Sequence, residues 1–442
     1  MEAKASEALQ WRALGICLIV ALAVRVLAFL AFASVQEPHG DEGYYLRKAL
    51  SIYQGEGHPG AFRAPGYPVF MAAVYQVMGT ALDSIRWVQI AISLLMVAGV
   101  FHLVRVRYGN RAALISGLSC ALSPALVHYT HFLWSEGLTA VLVVGCFALL
   151  DRFDRRDETW ILAVAGLALG ITGLVRETFA LFTVFILAWI VWRDRERLTR
   201  ALGRAALFGF CTATVILPWT YRNYQVHESF VLISTCRWFP IALGNLGEAD
   251  ITSEEQDAAM KRHTQRVARM SEIEAEAYWK RVALKTIKSE QPTWFFEKLW
   301  GNTPKLFTLR SQTTRFLRSG WLETTTARAH ALLAVDFALY TLTLALGLAS
   351  LWLARGGGVK PLVIALFLFT YLIYIVANAT ARFLVPLMPL LLLYTGPMLT
   401  RGADEEDRLP WWRKLGAAVT VAIFLACVWR SWGGAMRLWD AV

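Results

Sequence analysis

The sequence predicts an all-α polytopic membrane protein with about eleven spanning helices and a small mixed domain outside the membrane. Of its 442 residues, 56% are hydrophobic and only 17% are charged, whereas soluble domains carry about 25% charged residues. The apolar residues also fall into runs close to the ~20 residues that a helix needs to cross a bilayer. Together these observations argue against a large soluble helical protein.

Eleven apolar runs are predicted to span the membrane. A further run, 66–79, is too short to span and is predicted to form a helix that lies in the interface or dips into it. No small-residue cleavage site follows the first run, so this run is predicted to remain as the first span. The predicted spans lie at about 13–33, 84–104, 112–129, 134–150, 159–175, 178–192, 204–220, 329–353, 360–377, 382–400 and 412–430.

The spans divide the chain into three parts. Residues 1–220 form an N-terminal transmembrane module whose first outer loop covers 34–83, and residues 329–442 hold the C-terminal spans. Residues 221–328 lie between them and form the domain outside the membrane.

The domain outside the membrane is predicted to combine strands and helices. Its first part, 221–245, has the alternation expected of short strands and turns. Residues 252–290 carry charges at helical spacing and predict one or two helices. The segment after Pro292 has the pattern of Trp, Phe and Lys that suits a helix lying flat in the headgroup region.

The distribution of basic residues predicts the orientation. The net charge is +11, and much of it lies in short loops between apolar runs, so membrane topology and lipid headgroups explain it better than nucleic acid. With the N-terminus in the cytoplasm, the short inner segments hold more than twice as many Lys and Arg residues as the short outer segments. The chain is therefore predicted to be a multi-pass protein of the plasma (inner) membrane.

Neither a cofactor nor a metal ion is expected from the motifs. The six cysteines form no CxxC or Cys/His pairing, and five of them stand in apolar runs, so no disulfide framework and no zinc site are predicted. Nucleotide-binding fingerprints do not occur in a suitable setting. An outer-face DxD motif, which would favour a divalent metal, does not occur either.

The most unusual polar stretch is the first outer loop. Asp41 and Glu42 stand together at the start of a helical pattern, where Asp41 suits either a helix N-cap or a general base. Arg63 and Tyr67 follow in FRAPGYP, in which two prolines stiffen the backbone. Arg63 could therefore be presented to a phosphate, or it could snorkel at the interface.

Further polar candidates gather on the same outer face. Glu136 begins an apolar helix, where it could interact with the helix dipole or serve as a second acidic residue helped by His131. Arg176 and Glu177 fill a tight connection between two spans and could pair with each other or contact a ligand. Arginine forks bind phosphate in a bidentate manner. The remaining candidates for substrate binding are Arg222, Asn223, Asn378 and Arg382.

Four stretches together resemble the GT-C polytopic glycosyltransferases, in the subgroup that holds the bacterial aminoarabinose transferases and the protein O-mannosyltransferases. They are DEGYY after the first span, FRAPGYPVFMA, PWTYRNY and ARFLVPLMPLLLL, and the similarity extends over roughly 15–400. By this resemblance Asp41 matches the catalytic aspartate of the first loop, Glu42 matches its acidic neighbour, and Glu136 stands where a second-loop acidic residue is often found. The chain is shorter than the larger members and has no large C-terminal soluble domain, so acceptor recognition is expected to depend mostly on 221–328.

The resemblance implies an inverting glycosyltransferase that moves a hexosyl or pentosyl group from a polyprenyl-phosphate donor at the periplasmic face. The acceptor would be a lipid, a glycan or a protein, membrane lipids would surround the enzyme, and neither nucleic acid nor a divalent metal would take part. The donor phosphate would meet some of the four arginines, and Asp41 would deprotonate the acceptor. These arginines are Arg63, Arg176, Arg222 and Arg382.

Two other functions stay open from the sequence. A transporter or flippase of lipid-linked sugars should place ionisable groups near the middle of the bilayer and interrupt paired spans, whereas here the polar residues collect at one face and Arg25 is the only charge deep in a predicted span. A glycan polymerase or ligase that uses a polyprenyl-diphosphate donor is barely distinguished from a single-sugar transferase.

The predicted orientation can be tested by cysteine labelling. We expect cysteines introduced in 40–60 and 250–280 to react with a membrane-impermeant reagent in intact cells, and cysteines introduced in 194–200 to stay unlabelled. The reason is the excess of Lys and Arg in the short inner segments. Lysed cells, in which every position should react, provide the control. Labelling of 194–200 in intact cells would contradict the orientation.

Overall fold

The computed structural model describes residues 2–32, 38, 40–245, 253–289, 291–308, 325–402 and 409–439. Within these ranges all regular elements are helical. The α-helices are α1 (Glu2–Phe32), α2 (Asp41–Tyr53), α3 (Gly66–Met78), α4 (Leu82–Leu122), α5 (Pro124–His128), α6 (Ser135–Arg156), α7 (Thr159–Val175), α8 (Thr178–Leu181), α9 (Thr183–Arg193), α10 (Leu198–His227), α11 (Trp238–Leu243), α12 (Ser253–Val267), α13 (Glu272–Ser289), α14 (Thr293–Leu306), α15 (Thr326–Leu353), α16 (Lys360–Val376), α17 (Met388–Leu392), α18 (Thr395–Leu399) and α19 (Trp411–Trp439), and a 3₁₀ segment covers Ala381–Leu387.

Each predicted span has a helical counterpart. The second and third predicted spans form one long element, α4, which is broken at Gly109, where φ is +85°. This conformation costs glycine little because glycine has no Cβ. Five helices are long and apolar enough to cross a membrane, and four shorter apolar stretches accompany them. The five are Leu9–Ala31, Leu82–Leu122, Leu198–His227, Thr326–Leu353 and Trp411–Arg430.

The tenth predicted span is interrupted rather than continuous. It consists of the 3₁₀ segment, α17 and α18, and prolines stand at positions 386, 389 and 397. Proline removes a backbone donor and clashes with the preceding turn, so a regular helix cannot run through this segment. Residues 384–397 are buried among the other helices, which is where irregular backbone at membrane depth is tolerated.

The strands predicted for 221–245 are wrong. Helix α10 continues to His227, and the following residues form an irregular coil that leads into α11. Side chains of α10 satisfy the backbone of this coil: Asn223 Nδ2 donates to the carbonyls of Val231 and Ile233 at 3.2 Å. Trp219 Nε1 also donates to Ile233 O, at 2.8 Å. Because these carbonyls have partners on a helix, the coil needs no neighbouring strand.

The helices predicted for 252–290 and after Pro292 are present as α12, α13 and α14. Helix α14 is amphipathic. Trp294 and Leu306 are buried, whereas Phe296 and Trp300 are 68% and 75% exposed. One face of α14 thus packs on the protein, and the other presents large aromatic side chains.

Close packing of α7 on α10 depends on two glycines spaced four residues apart. A Cβ at Gly166 would lie 2.5 Å from Phe208 O, and a Cβ at Gly170 would lie 2.8 Å from Thr212 O. Small residues at this spacing let two helix backbones approach each other in a membrane. The α7–α10 pair leads directly to the two outer segments that form the candidate site.

Gly166→Ala should therefore destabilise the protein by about 1–3 kcal/mol, because the added methyl group overpacks the contact. Gly145→Ala in α6 is the matched control, since nothing lies within 4 Å of its added Cβ. The control should be neutral or stabilise by up to about 1 kcal/mol, because alanine favours helix. Thermal unfolding of both purified variants measures the difference, and equal melting temperatures would contradict the proposed role of the contact.

Candidate active site

Two arginines from distant parts of the chain hold Asp41. Arg63 Nη2 donates to Asp41 Oδ1 at 2.8 Å, and Arg382 Nη2 donates to Asp41 Oδ2 at 2.9 Å. The position before α2 is occupied by Gly40, and no side chain caps the helix. Asp41 is therefore the first residue of the helix rather than its N-cap, and its carboxylate faces the two guanidinium groups.

A second ion pair lies deeper beside the first. Arg176 Nη1 lies 3.0 Å from Glu136 Oε1, and Arg382 Nε lies 3.8 Å from the same oxygen. Arg176 also donates through Nη2 to the Tyr374 hydroxyl at 2.9 Å. Arg382 thus connects the two carboxylates, and Asp41, Arg63, Glu136, Arg176 and Arg382 form one group, called the arginine–carboxylate cluster below.

The cluster is open on one side. The Glu136 side chain is only 4% exposed, whereas those of Asp41, Arg63 and Arg382 are 24%, 25% and 23% exposed. Three arginines face two carboxylates, so the cluster carries one positive charge in excess. A partly open group of this kind can accept an anion while its acidic members remain in place.

Aromatic rings form the wall behind the arginines. The Arg382 guanidinium lies 4.9 Å from the Trp134 ring centroid and 5.0 Å from that of Phe383. Arg176 lies 5.1 Å from Phe383, which stacks on Tyr374 at 4.1 Å. Ring faces attract cations and restrict the motion of the guanidinium groups. The sequence analysis did not identify these three aromatic residues, although Trp134 and Phe383 stand next to predicted site residues in the chain.

Local structure explains why these side chains converge. Glu136 lies in the first turn of α6, where the helix dipole favours a carboxylate. Arg176 ends α7 in an extended conformation at the short connection to α8, and Arg382 lies on the 3₁₀ segment rather than on a regular helix. These irregular positions direct both arginines toward Asp41 at the start of α2.

Glu177 is next to the cluster but binds elsewhere. Its carboxylate accepts a hydrogen bond from the Ser234 hydroxyl in the coil after α10. Burial raises the pKa of Glu177, while the bond from Ser234 and the positive charge of Arg63 oppose the shift. Glu177 therefore joins the coil to the connection between α7 and α8, and the partner of Arg176 is Glu136 instead.

Glu42 and Tyr67 are fully buried, away from the open side of the cluster. Glu42 Oε1 accepts from the backbone N–H of Leu133 at 2.9 Å. Tyr67 donates to Gln89 Oε1 at 2.9 Å, and the Gln89 amide in turn donates to the carbonyl of Phe132. Both predicted site residues thus fix the segment that leads to Trp134 and Glu136.

The remaining predicted residues are also outside the cluster. The His131 ring is buried beside Thr130, at 3.4 Å, and the ring of Phe29. Arg222 and Asn223 bind backbone carbonyls of neighbouring outer segments. Asn378 is half-buried, where its backbone passes Gly244. The prediction that these residues contact substrate is not supported by a place in the cluster.

A metal ion has no evident site in the part of the chain that the structure describes. Among those residues no group of three or more His, Cys, Asp and Glu side chains is arranged to hold one. The polar chemistry of the site is therefore that of arginine and carboxylate.

Residues 58–221 match the family model described as dolichyl-phosphate-mannose-protein mannosyltransferase. This range begins in the first outer loop and ends at the outer end of α10. It contains Arg63, Glu136 and Arg176 but neither Asp41 nor Arg382. No curated protein sequence matches the chain.

Solved structures match almost the whole chain. ArnT from Cupriavidus metallidurans bound to undecaprenyl phosphate is 16% identical at a TM-score of 0.51, over 93% of this chain and 63% of that one. The oligosaccharyltransferase AglB from Archaeoglobus fulgidus, in complex with an inhibitory peptide and a dolichol-phosphate, is 16% identical at a TM-score of 0.55, over 98% and 55%. The same archaeal enzyme in complex with Zn and sulfate is 14% identical at a TM-score of 0.54, over 97% and 52%.

These matches identify the architecture. The chain has the GT-C fold of polytopic membrane glycosyltransferases, as its sequence motifs predicted. It spans between about half and just under two thirds of the length of these solved structures.

Proposed function

We propose that the chain is an inverting glycosyltransferase that takes a sugar from a polyprenyl-phosphate donor at the outer face of the plasma membrane. The observation that carries the proposal is the position of Asp41 between Arg63 and Arg382 on the open side of the arginine–carboxylate cluster. The family match over 58–221 and the GT-C fold support a transferase. The undecaprenyl phosphate bound to ArnT and the dolichol-phosphate bound to AglB support a lipid-linked donor.

The donor phosphate would compete with Asp41 for its arginine partners. A guanidinium group binds a phosphate through two parallel hydrogen bonds, as it binds a carboxylate. Arg63 and Arg382 are partly exposed and can turn toward an incoming phosphate. Arg176 is held by Glu136 and Tyr374 and would stay in place. Donor binding would thus release the Asp41 carboxylate and make it available as a base.

The chemical step then follows from these positions. The acceptor hydroxyl attacks the anomeric carbon on the face opposite the phosphate, and the bond between this carbon and the phosphate oxygen breaks. The hydroxyl proton passes to Asp41, while the polyprenyl phosphate departs with the bonding electrons. Arg63 and Arg382 stabilise the negative charge that develops on the leaving phosphate. The acceptor would be a lipid, a glycan or a protein.

Transfer of a whole glycan is the second candidate, because the archaeal oligosaccharyltransferase shares the fold at a TM-score of 0.55. It would use a polyprenyl-diphosphate donor at the same cluster. An assay that supplies purified protein with monophosphate-linked sugars and diphosphate-linked glycans in parallel distinguishes the two candidates.

Asp41→Asn should reduce transfer by roughly 10²–10⁴, the usual contribution of general acid–base catalysis. The melting temperature should change little, because the substitution keeps the shape of a partly exposed side chain. Affinity for polyprenyl phosphate should not fall, because a neutral amide would hold the two arginines less tightly than the carboxylate does. Asp83→Asn is the matched control, since Asp83 also pairs with an arginine, Arg86, but lies outside the cluster. Near-normal turnover of Asp41→Asn would remove Asp41 from the mechanism.

We also propose that transfer needs no divalent metal. The outer face has no DxD motif, and the arginines can neutralise the phosphate by themselves. Transfer by the purified protein should therefore survive treatment with EDTA, measured beside an untreated sample. Loss of activity that magnesium or manganese restores would overturn this proposal.

A further inference from the structure

Two side chains of opposite charge hold the short segment His58–Ala61 from the far side of the chain. Arg222 at the outer end of α10 donates through Nη1 to Gly60 O at 2.8 Å, and its Nη2 donates to His58 O. Glu272 at the start of α13 accepts the backbone N–H of Ala61 at its Oε2, at 2.7 Å. The segment is thus bound through its carbonyls by a cation and through an amide by an anion.

Glycine at position 60 makes this approach possible. Gly60 has φ +73°, and a Cβ at this position would collide with Glu272 Oε1. The backbone of Thr235 adds a further bond, since its N–H donates to Ala61 O at 2.8 Å. Its hydroxyl also donates to Glu272 Oε2, at 3.3 Å. Glu272 therefore joins the first outer loop to the coil after α10.

The segment ends two residues before Arg63. Phe62 lies between them, and its ring packs against Tyr44 at 5.9 Å and Phe239 at 6.0 Å. Since Ala61 and Phe62 are both held, little freedom remains in the backbone that presents Arg63 to Asp41. The position of Arg63 therefore depends on helix α13, more than two hundred residues further along the chain.

Helix α13 is itself attached to the same region. Glu276, one turn after Glu272, accepts from Arg237 Nε at 2.8 Å. Trp279 packs against Phe239 at 5.2 Å, and Phe239 is the residue that contacts Phe62. One face of α13 thus follows the coil, α11 and the first outer loop, so a displacement of this helix is transmitted to Ala61.

We propose that Glu272 is a positioning residue for Arg63, through which helix α13 of the outer segment sets the donor-phosphate site. This inference rests on the proposed function for the role of Arg63, but the contact between Glu272 and Ala61 exists independently of it. An acceptor that binds against α13 would tighten or loosen Arg63 and so couple acceptor binding to donor binding. Such coupling is reciprocal, because each ligand changes the affinity for the other by the same factor.

The test compares Glu272→Ala with Glu272→Gln and with Glu274→Ala. Glutamine keeps an acceptor oxygen for the Ala61 N–H, so it should restore what alanine loses. Glu274 lies on the same helix two residues later and bonds to Ser271 on its own chain segment. It is therefore the matched control for loss of a carboxylate near the start of α13.

Glu272→Ala should raise the KM for a polyprenyl-phosphate sugar about tenfold, the usual effect of losing one hydrogen bond to a charged group, with a smaller change in kcat. Hydrogen exchange of the peptide 57–64 should become faster at an unchanged melting temperature. Glu272→Gln should stay close to wild type in both measurements, and Glu274→Ala should not differ from wild type. Gly60→Ala, which pushes Glu272 away, should reproduce the effect of Glu272→Ala and provides the decisive variant if the latter does not fold.

Wild-type KM and exchange in both Glu272→Ala and Gly60→Ala would overturn the inference, as would an equal effect of Glu274→Ala. If the wild-type protein transfers no sugar, the proposed function fails, and the positioning role is then decided by exchange together with affinity for undecaprenyl phosphate. Faster exchange with weaker phosphate binding in Glu272→Ala would still support it. Unchanged values would overturn it separately.

Discussion

The guanidinium group of Arg382 is shared between two carboxylates that belong to different helices, and the candidate site depends on this arrangement. Arg382 lies 2.9 Å from Asp41 at the start of α2 and 3.8 Å from Glu136 in α6. Removing a charge from water is costly unless partners of opposite charge surround it. Arg382 therefore remains in the protein only if α2, α6 and the 3₁₀ segment keep their relative positions, and the same requirement fixes the distance between the two acidic groups.

Arginine has two distinct tasks around this site. Arg63, Arg176 and Arg382 contact carboxylates and aromatic rings in the cluster. Arg222 instead donates to the carbonyls of His58 and Gly60 and lies 4.8 Å from the ring of Trp219. The first group can exchange a carboxylate for a phosphate, because both anions fit the guanidinium fork. The second task directs the guanidinium toward backbone carbonyls and serves to hold a loop.

Several site residues could be predicted because their chemistry is unusual where they stand. Asp41, Glu136 and Arg382 are charged residues at the ends of apolar runs, where an ionisable group is costly unless it has a function. Glu42 shows the limit of this reasoning. It is adjacent to Asp41 in the chain, but consecutive helical residues point in different directions, and Glu42 is buried against the Leu133 amide. The aromatic wall of Trp134, Tyr374 and Phe383 gave no comparable signal, because aromatic residues are common throughout the chain.

The sequence by itself determined the membrane-spanning helices and the face on which polar residues collect, because hydrophobicity and loop charge are sums over neighbouring residues. Tertiary structure decided which of those polar residues meet. Asp41 and Arg382 are 341 positions apart, and no local pattern records their contact. Tertiary structure also decided that the residues after His227 form a coil rather than strands, because side chains of α10 bind their carbonyls. Local patterns fix what a segment can bury, whereas partners distant in the chain fix what each charged group binds.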